Sequence, residues 1–447
     1  MSLRRLSGFS ILAFAAVLLA GPQAGAQVLV QCPGDVTGDA IPDYCMSGGP
    51  PNSGGNCPGS SINPEYDPNI QCMHLSGGDG FATMADGRLQ YIFSFADLTG
   101  TPAVDAMEYG TLRAAWPAPT IMVDEGKQFY LTLTNVGMVI RPDLFDPHTV
   151  HFHGFPQSST VFDGLPESGL SINMGASLTY FYELHDPGTY MYHCHVEATE
   201  HMQMGMLGNL YVRPAQNNLP AQIFPSNGFV HTPWDEDTQT GNRYAYNDGD
   251  GSTAYDKEYP IQLGSFDPEF HDASLFVQPL PFAMMFDTYP MINGRGYPDT
   301  INPDPLPGPA ENGFIESQPM SSLIEATAGQ RVLLRLSNLN ITDVHTLSSP
   351  SIPMEVVGID AKQLLADDGI TKLYYNTNSV TMGGGMSADV ILDTTGVPAG
   401  EYYLYAANLQ YLANNDEPRA DQEYGGMMTK IVINDGPAKV LARARRN

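Results

Sequence analysis

Two runs of the chain, HTVHFHG (148–154) and MYHCHVEATEHMQMGM (191–206), hold six of its eleven histidines at closely repeated spacings. Successive side chains of a strand point to opposite faces, so a period of two sorts these residues onto the two sides of a sheet. His151 and His153 share a face, and His148, three residues before His151, points to the other. His193 and His195 likewise share a face, with Cys194 between them pointing away. If the two strands are neighbours, His151, His153, His193 and His195 collect on one side, with His148 and Cys194 on the other. The segment after the second strand then returns His201 and Met206 to the side of Cys194. A fold for this chain has to lay the two runs side by side.

The surrounding texture agrees with that demand. Short runs such as TIMVDEG, QFYLTLTNV, SLTYFYEL and GNLYVRP are rich in aromatic and β-branched residues and are separated by Gly, Pro and Asp turns. The spacing predicts an all-β chain, with a Greek-key β-sandwich or barrel over residues 76–215. A linker rich in Pro and Asn (VRPAQNNLPAQIFPSNG) leads into a second β-rich domain, taken as 216–435. EGKQFYLTLTNV in the first domain and AGQRVLLRLSNL in the second are similar enough to predict two related sandwiches.

The ends have their own character. Residues 1–26 read as a secretory signal peptide: Arg4 and Arg5, an apolar stretch, then Ala24-Gly25-Ala26 before the cut. The expectation is a secreted or periplasmic protein, and no other stretch approaches the roughly 20 apolar residues of a membrane span. The chain carries 20 basic and 49 acidic residues, a net charge of −29, which disfavours nucleic acid as a partner. Residues 436–447 form a basic tail against this trend.

Residues 27–75 are too rich in Gly and Pro to bury a core, so disulfides are expected to staple them. Cys32, Cys45, Cys57 and Cys72 allow three pairings, and the sequential one is expected because it closes the shortest loops. Within this segment DVTGDAIPDYC resembles the acidic loops of calcium-binding repeats in secreted proteins. Asp35, Thr37, Asp39 and Asp43 stand at positions 1, 3, 5 and 9 of such a loop. Ala40 replaces its usual glycine, and no glutamate follows at position 12.

Cys194 is then the one cysteine without a partner. A thiolate, two imidazoles and a weak thioether make the donor set of a blue-copper site, which Cys194, His148, His201 and Met206 supply. The opposite face offers four imidazoles to further copper. Cys194, His193 and His195 would be the covalent wires between the two centres. Met202 and Met204 are read as packing residues, and His74, His185, His231 and His271 as surface or capping histidines.

HxxHxHG followed by HCH, then a histidine and GM, is similar to the multicopper oxidase family of cupredoxin-fold proteins. PAPTIMVDEG, FDGLPESG and DPGTYMYHCH extend the likeness in the first domain, and MINGRGYP and VVGIDA in the second. The resemblance implies two cupredoxin-like domains. It implies type 1 copper on His148, Cys194, His201 and Met206, with His151 facing type 2 copper and His153, His193 and His195 facing the type 3 pair. The implied reaction is one-electron oxidation of a small reducing substrate, phenolic or a metal ion, with reduction of dioxygen to water.

Two departures stand out. VEATE puts five residues between HCH and the next histidine where the family usually has three. The family's trinuclear cluster takes eight histidines from two domains, whereas the second domain here offers only His345 and reads YAANLQY where a pair is needed. Two first domains could pool their histidines in a homo-oligomer. A nitrite-reductase-like type 2 copper could instead sit on His153 and His193. The third reading is an exported electron carrier for a redox protein, with no oxygen-reducing cluster.

Overall fold

QFYLTLTNVG, whose alternate residues are apolar, becomes the centre of the first sheet. The structure, a computed structural model, describes residues 28–52, 55–235, 238–276, 279–414 and 424–436. Residues 1–26, expected to be a signal peptide, and nearly all of the basic tail lie outside the described residues.

The first domain contributes eight strands: β1 (Ile70–Thr83), β2 (Leu89–Asp97), β3 (Ala118–Asp124), β4 (Gln128–Gly137), β5 (His151–His153), β6 (Ser177–Glu183), β7 (Gly188–His193) and β8 (Leu207–Arg213). They form two four-stranded sheets, in the orders β2-β1-β4-β6 and β3-β8-β7-β5. The pairs β1–β4 and β3–β8 are parallel, and the other pairs are antiparallel. The inner faces meet over Leu75, Phe93, Leu131, Phe152, Tyr180 and Tyr192, all buried. β1 begins at Ile70, so the first sheet reaches back into the segment expected to hold only disulfide loops.

The second domain repeats this pattern and adds strands at one edge of each sheet. Its first sheet runs Tyr289–Ile292, Lys257–Phe266, Arg331–Asn338, Met386–Asp393, with Met354–Ile359 and shorter strands beyond. Its second runs Ile324–Thr327, Met428–Asn434, Gly400–Ala406, His345–Ser348, Ser379–Met382. The parallel pairs recur in the same places. His345–Ser348 therefore corresponds to β5, and Gly400–Ala406 to β7.

A buried polar cluster joins the domains behind β7. Thr189 donates to Asp389 Oδ1 at 2.5 Å, and Arg335 donates to Thr189 Oγ1 at 3.2 Å and to Glu258 Oε2 at 2.9 Å. Tyr246 donates to the other oxygen of Asp389 at 2.6 Å. Every charge here has a partner, which burial at this depth demands.

The N-terminal segment corrects two expectations. The disulfides are Cys32–Cys72 and Cys45–Cys57, one nested inside the other, not the sequential pairs. The chain before Cys32 runs beside β6, with Leu29 and Gln31 N–H groups donating to Ser177 Oγ and Thr179 Oγ1. That docking carries Cys32 onto the sheet that holds Cys72, and outweighs the shorter loop. The calcium reading of Asp35, Thr37, Asp39 and Asp43 is not supported. Asp35 accepts from the N–H groups of Thr37, Gly38 and Ala40, and Asp43 from those of Val36 and Thr37. Asp39 accepts from Ile41 N–H. The carboxylates hold the acidic turn itself together.

Candidate metal centre

β5 and β7 are antiparallel neighbours, with His151 opposite His193, Phe152 opposite Tyr192, and His153 opposite Met191. Phe152 and Tyr192 go into the core, which turns the histidines to the other face. His148 is fixed just before β5 by paired backbone hydrogen bonds with Ile172 (3.0 and 2.9 Å).

Past β7 the ladder continues for one residue, Cys194 N–H donating to Met206 O at 3.1 Å. VEATE leaves the sheet and winds into a seven-residue helix, Ala198–Met204, which carries His201. Gly205 ends the helix at φ +117°, where a Cβ would lie 2.9 Å from Phe93 O, so the turn back to Met206 needs a glycine. His271 pins the helix from outside, its ring nitrogens 2.5 Å from Tyr91 O and 2.9 Å from Gln203 O.

The first cluster is His148, Cys194 and His201, each fully buried, with donor atoms within 4.8 Å of one another. Cys194 Sγ lies 3.1 Å from His201 Nδ1, and Thr149 N–H points at the sulfur from 3.5 Å. Met206 joins them: a Cβ on Gly77 of β1 would meet both His148 Cδ2 (2.9 Å) and Met206 Cε (3.5 Å). Burial raises the Cys194 thiol to about 11, lowers His201 to about 4 and holds His148 well below its ordinary value. Both ring nitrogens of His148 are buried without a hydrogen-bond partner. An imidazole so orphaned is costly in a core unless a metal takes one of its nitrogens, and with His201 Nδ1 beside the Cys194 sulfur the donor set fits copper.

The second cluster lies on the opposite face. The His151 ring is 5.2 Å from that of His193, 5.1 Å from His195 and 6.0 Å from His153. His151 Nδ1 donates to Asp163 O (2.6 Å) and His193 Nδ1 to Cys194 O (2.7 Å). A carbonyl can only accept, so in both rings Nε2 is left bare for a metal. Burial lowers His193 to about 3, keeping it neutral. The four imidazoles open on a cavity of about 530 Å³ whose far wall is the second domain, including Asn340, Thr342, Asp343 and Gly385.

His345 takes no part in that wall. It is buried against Tyr411 at 5.0 Å, and both its nitrogens lack partners. Among the described residues the second domain brings no imidazole to the cavity. His74, His231 and His271, read as surface or capping histidines, are fully buried and hydrogen-bonded, whereas His185 is exposed. Two residues escaped the sequence reading: Asp146 and Glu197 have carboxylate oxygens within 4.8 Å of a His201 nitrogen. The extra length of VEATE was the one signal of Glu197.

Family profiles described as multicopper oxidase match residues 102–217 and 282–427, together more than half of the chain. The chain belongs to the multicopper oxidase family. The multicopper oxidase VdtB of Byssochlamys spectabilis is 32% identical over 118 residues, 26% of this chain and 16% of that protein. The chain spans under a fifth of the length of the curated relatives it matches first.

Among solved structures, the blue copper oxidase of Nitrosomonas europaea superposes with a TM-score of 0.55 at 22% identity, over 81% of this chain and 86% of that one. The copper nitrite reductase of the same organism gives 0.51 at 16%, over 84% and 100%. These likenesses show the fold, two cupredoxin-like domains, which the resemblance implied.

Proposed function

We propose that this multicopper oxidase family member is an exported copper oxidoreductase that takes single electrons from a small reducing substrate and passes them to dioxygen. The observation that carries the reading is Cys194. Its sulfur belongs to the His148–His201 cluster, while its neighbours His193 and His195 belong to the four-imidazole face. Copper, when bound, supplies the one-electron redox chemistry.

The chain's own residues do the rest. His148, Cys194, His201 and Met206 would hold type 1 copper in a dry pocket. Burial there disfavours the charged thiolate, so the metal itself has to drive the loss of the Cys194 proton. His151, His153, His193 and His195 would hold type 2 and type 3 copper. Asp163 O and Cys194 O fix the His151 and His193 rings by accepting their Nδ1 protons. The peptide of Cys194 and its two neighbours gives the shortest covalent path between the centres.

Because the second domain adds no imidazole among the described residues, a full cluster requires histidines from another copy of the chain. Copper per chain in metal-loaded, desalted protein tests this. About 2.5 fits two type 1 sites and one shared three-copper cluster per dimer, and predicts dioxygen consumption that is lost on dilution to monomer. About 1 sinks the oxidase reading and leaves an electron carrier.

A further inference from the structure

We propose that the second domain holds one monovalent soft metal ion, of the Cu(I) or Ag(I) kind, on His345, Met382 and Met427. The ion is structural, held and not oxidised, so the proposal goes beyond the reading above and does not depend on it. Its place is given by hydrogen bonds that repeat those of the first cluster. Ala406 N–H donates to Met427 O at 2.9 Å, as Cys194 N–H donates to Met206 O at 3.1 Å. Met427 N–H donates to Tyr411 O at 2.7 Å, as Met206 N–H donates to His201 O at 2.8 Å. The His345 and Tyr411 rings lie 5.0 Å apart, and those of His148 and His201 5.2 Å. Leu347, two residues after His345, pairs with Ala406. Continuing the β5–β7 register sets Val150, two residues after His148, opposite Cys194. His345, Ala406, Tyr411 and Met427 therefore stand where His148, Cys194, His201 and Met206 stand.

The donors differ, and so does the ion they suit. Ala406 puts a methyl where Cys194 puts its sulfur, and the Tyr411 hydroxyl is taken by Asp343. His345 and Met427 keep an imidazole and a thioether. Met382 adds a second thioether. It lies directly opposite His345 on the neighbouring strand, which puts both side chains on one face with Cβ atoms about 4.5–5.5 Å apart. All three residues are buried, and both methionines belong to one apolar core. His345 has no hydrogen-bond partner on either nitrogen, and burial lowers it to about 4, so the ring is neutral with one nitrogen bare. Neutral donors in a dry core leave the charge of a divalent ion without an offset, and thioethers select a soft one. Val344, next to His345, and Leu409, two residues before Tyr411, are exposed, so the site lies just beneath the surface. Ser379–Met382 is the edge strand of its sheet, and the ion clips it to the residues on the two sides of Ala406.

The test is equilibrium dialysis of Cu(II)-loaded protein against Ag⁺, with silver counted per chain and the blue absorption and denaturation midpoint read on the same samples. Wild type should hold one more Ag⁺ per chain than Met382→Leu/Met427→Leu, bound about tenfold or more tightly. Silver should raise the wild-type midpoint and leave that of the double variant in place. His345→Gln should lose the same silver. Met354→Leu, which alters a buried methionine of the same core on the opposite sheet, should keep it. Equal silver in wild type and the double variant, or an equal loss in Met354→Leu, overturns the site. Silver that binds without raising the wild-type midpoint overturns its structural role. A blue band that fades in step with the extra silver assigns that silver to the first cluster and overturns the site as well. A protein that never turns blue overturns the copper reading alone, since the silver difference between wild type and the double variant is read all the same.

Discussion

His151 and His193 face each other across β5 and β7 with ring centroids 5.2 Å apart, and the residue after His193 sends its sulfur into the other ligand cluster. One peptide bond thus separates the two side-chain clusters on opposite faces of a single sheet. The relationship follows from strand pleating, since residues 193 and 194 cannot point the same way.

Cys194→Ser should abolish the blue absorption and lower bound copper by about one per chain, because a serine hydroxyl is a poor copper ligand at neutral pH. The four imidazoles on the opposite face should keep what they bind. Visible absorption and metal analysis on one sample check this, and a variant that stays blue would remove Cys194 from the ligand set.

Gly77→Ala tests the packing that seats Met206. The added methyl would sit 2.9 Å from His148 Cδ2 and 3.5 Å from Met206 Cε, in a fully buried site. Overpacking of this kind costs about 1–3 kcal/mol. The expected outcome is a lower denaturation midpoint together with a shifted blue band, since both displaced side chains belong to the proposed ligand set. Loss of stability with an unshifted band would place Met206 outside the copper's reach.

Strand periodicity made the sorting of the histidines and Cys194 onto opposite faces legible, because β5 and β7 follow the period of two without a bulge between His151 and His153. The fold was legible for a similar reason: runs such as QFYLTLTNV in β4 keep their pattern through the core. What stayed hidden depends on contacts distant in sequence. The Cys32–Cys72 bond is set by Leu29 and Gln31 docking on β6, some 148 residues away. Burial of His231 depends on hydrogen-bond partners at Leu219 O and the Tyr244 hydroxyl, which no local pattern announces. Glu197 reaches His201 only because its backbone turns left-handed, a choice the string VEATE does not reveal.

Acid should loosen the junction between the domains. Burial alone would raise the Glu258 carboxyl, but Arg335, Arg213 and Arg243 hold it at about 2, below its ordinary 4.5. A carboxylate whose folded value is depressed contributes stability that is complete above the unfolded value. That contribution is lost as pH falls from about 4.5 toward 2. Denaturation midpoints should therefore fall over this window, and fall less steeply in Glu258→Gln, which starts lower at neutral pH. Equal slopes would mean that other carboxylates carry the acid sensitivity.

Asp389→Ala leaves the Arg335 guanidinium facing Thr189 and Glu258 with one partner gone, and deprives Tyr246 and Thr189 of their acceptor. Breaking a buried pair from one side costs about 3–5 kcal/mol, more than the pair itself is worth, because the remaining charge stays desolvated. The loss should reach the metal face as well. Thr189 lies on β7 four residues before His193, and its carbonyl accepts from Ser387 at 2.6 Å, so the same contacts hold both the strand and the cavity's far wall. The expected result is a large drop in denaturation midpoint with weaker copper retention by the four imidazoles and an unchanged blue band. If stability falls but copper retention on that face does not, the cluster behind β7 fastens the domains without positioning the histidines.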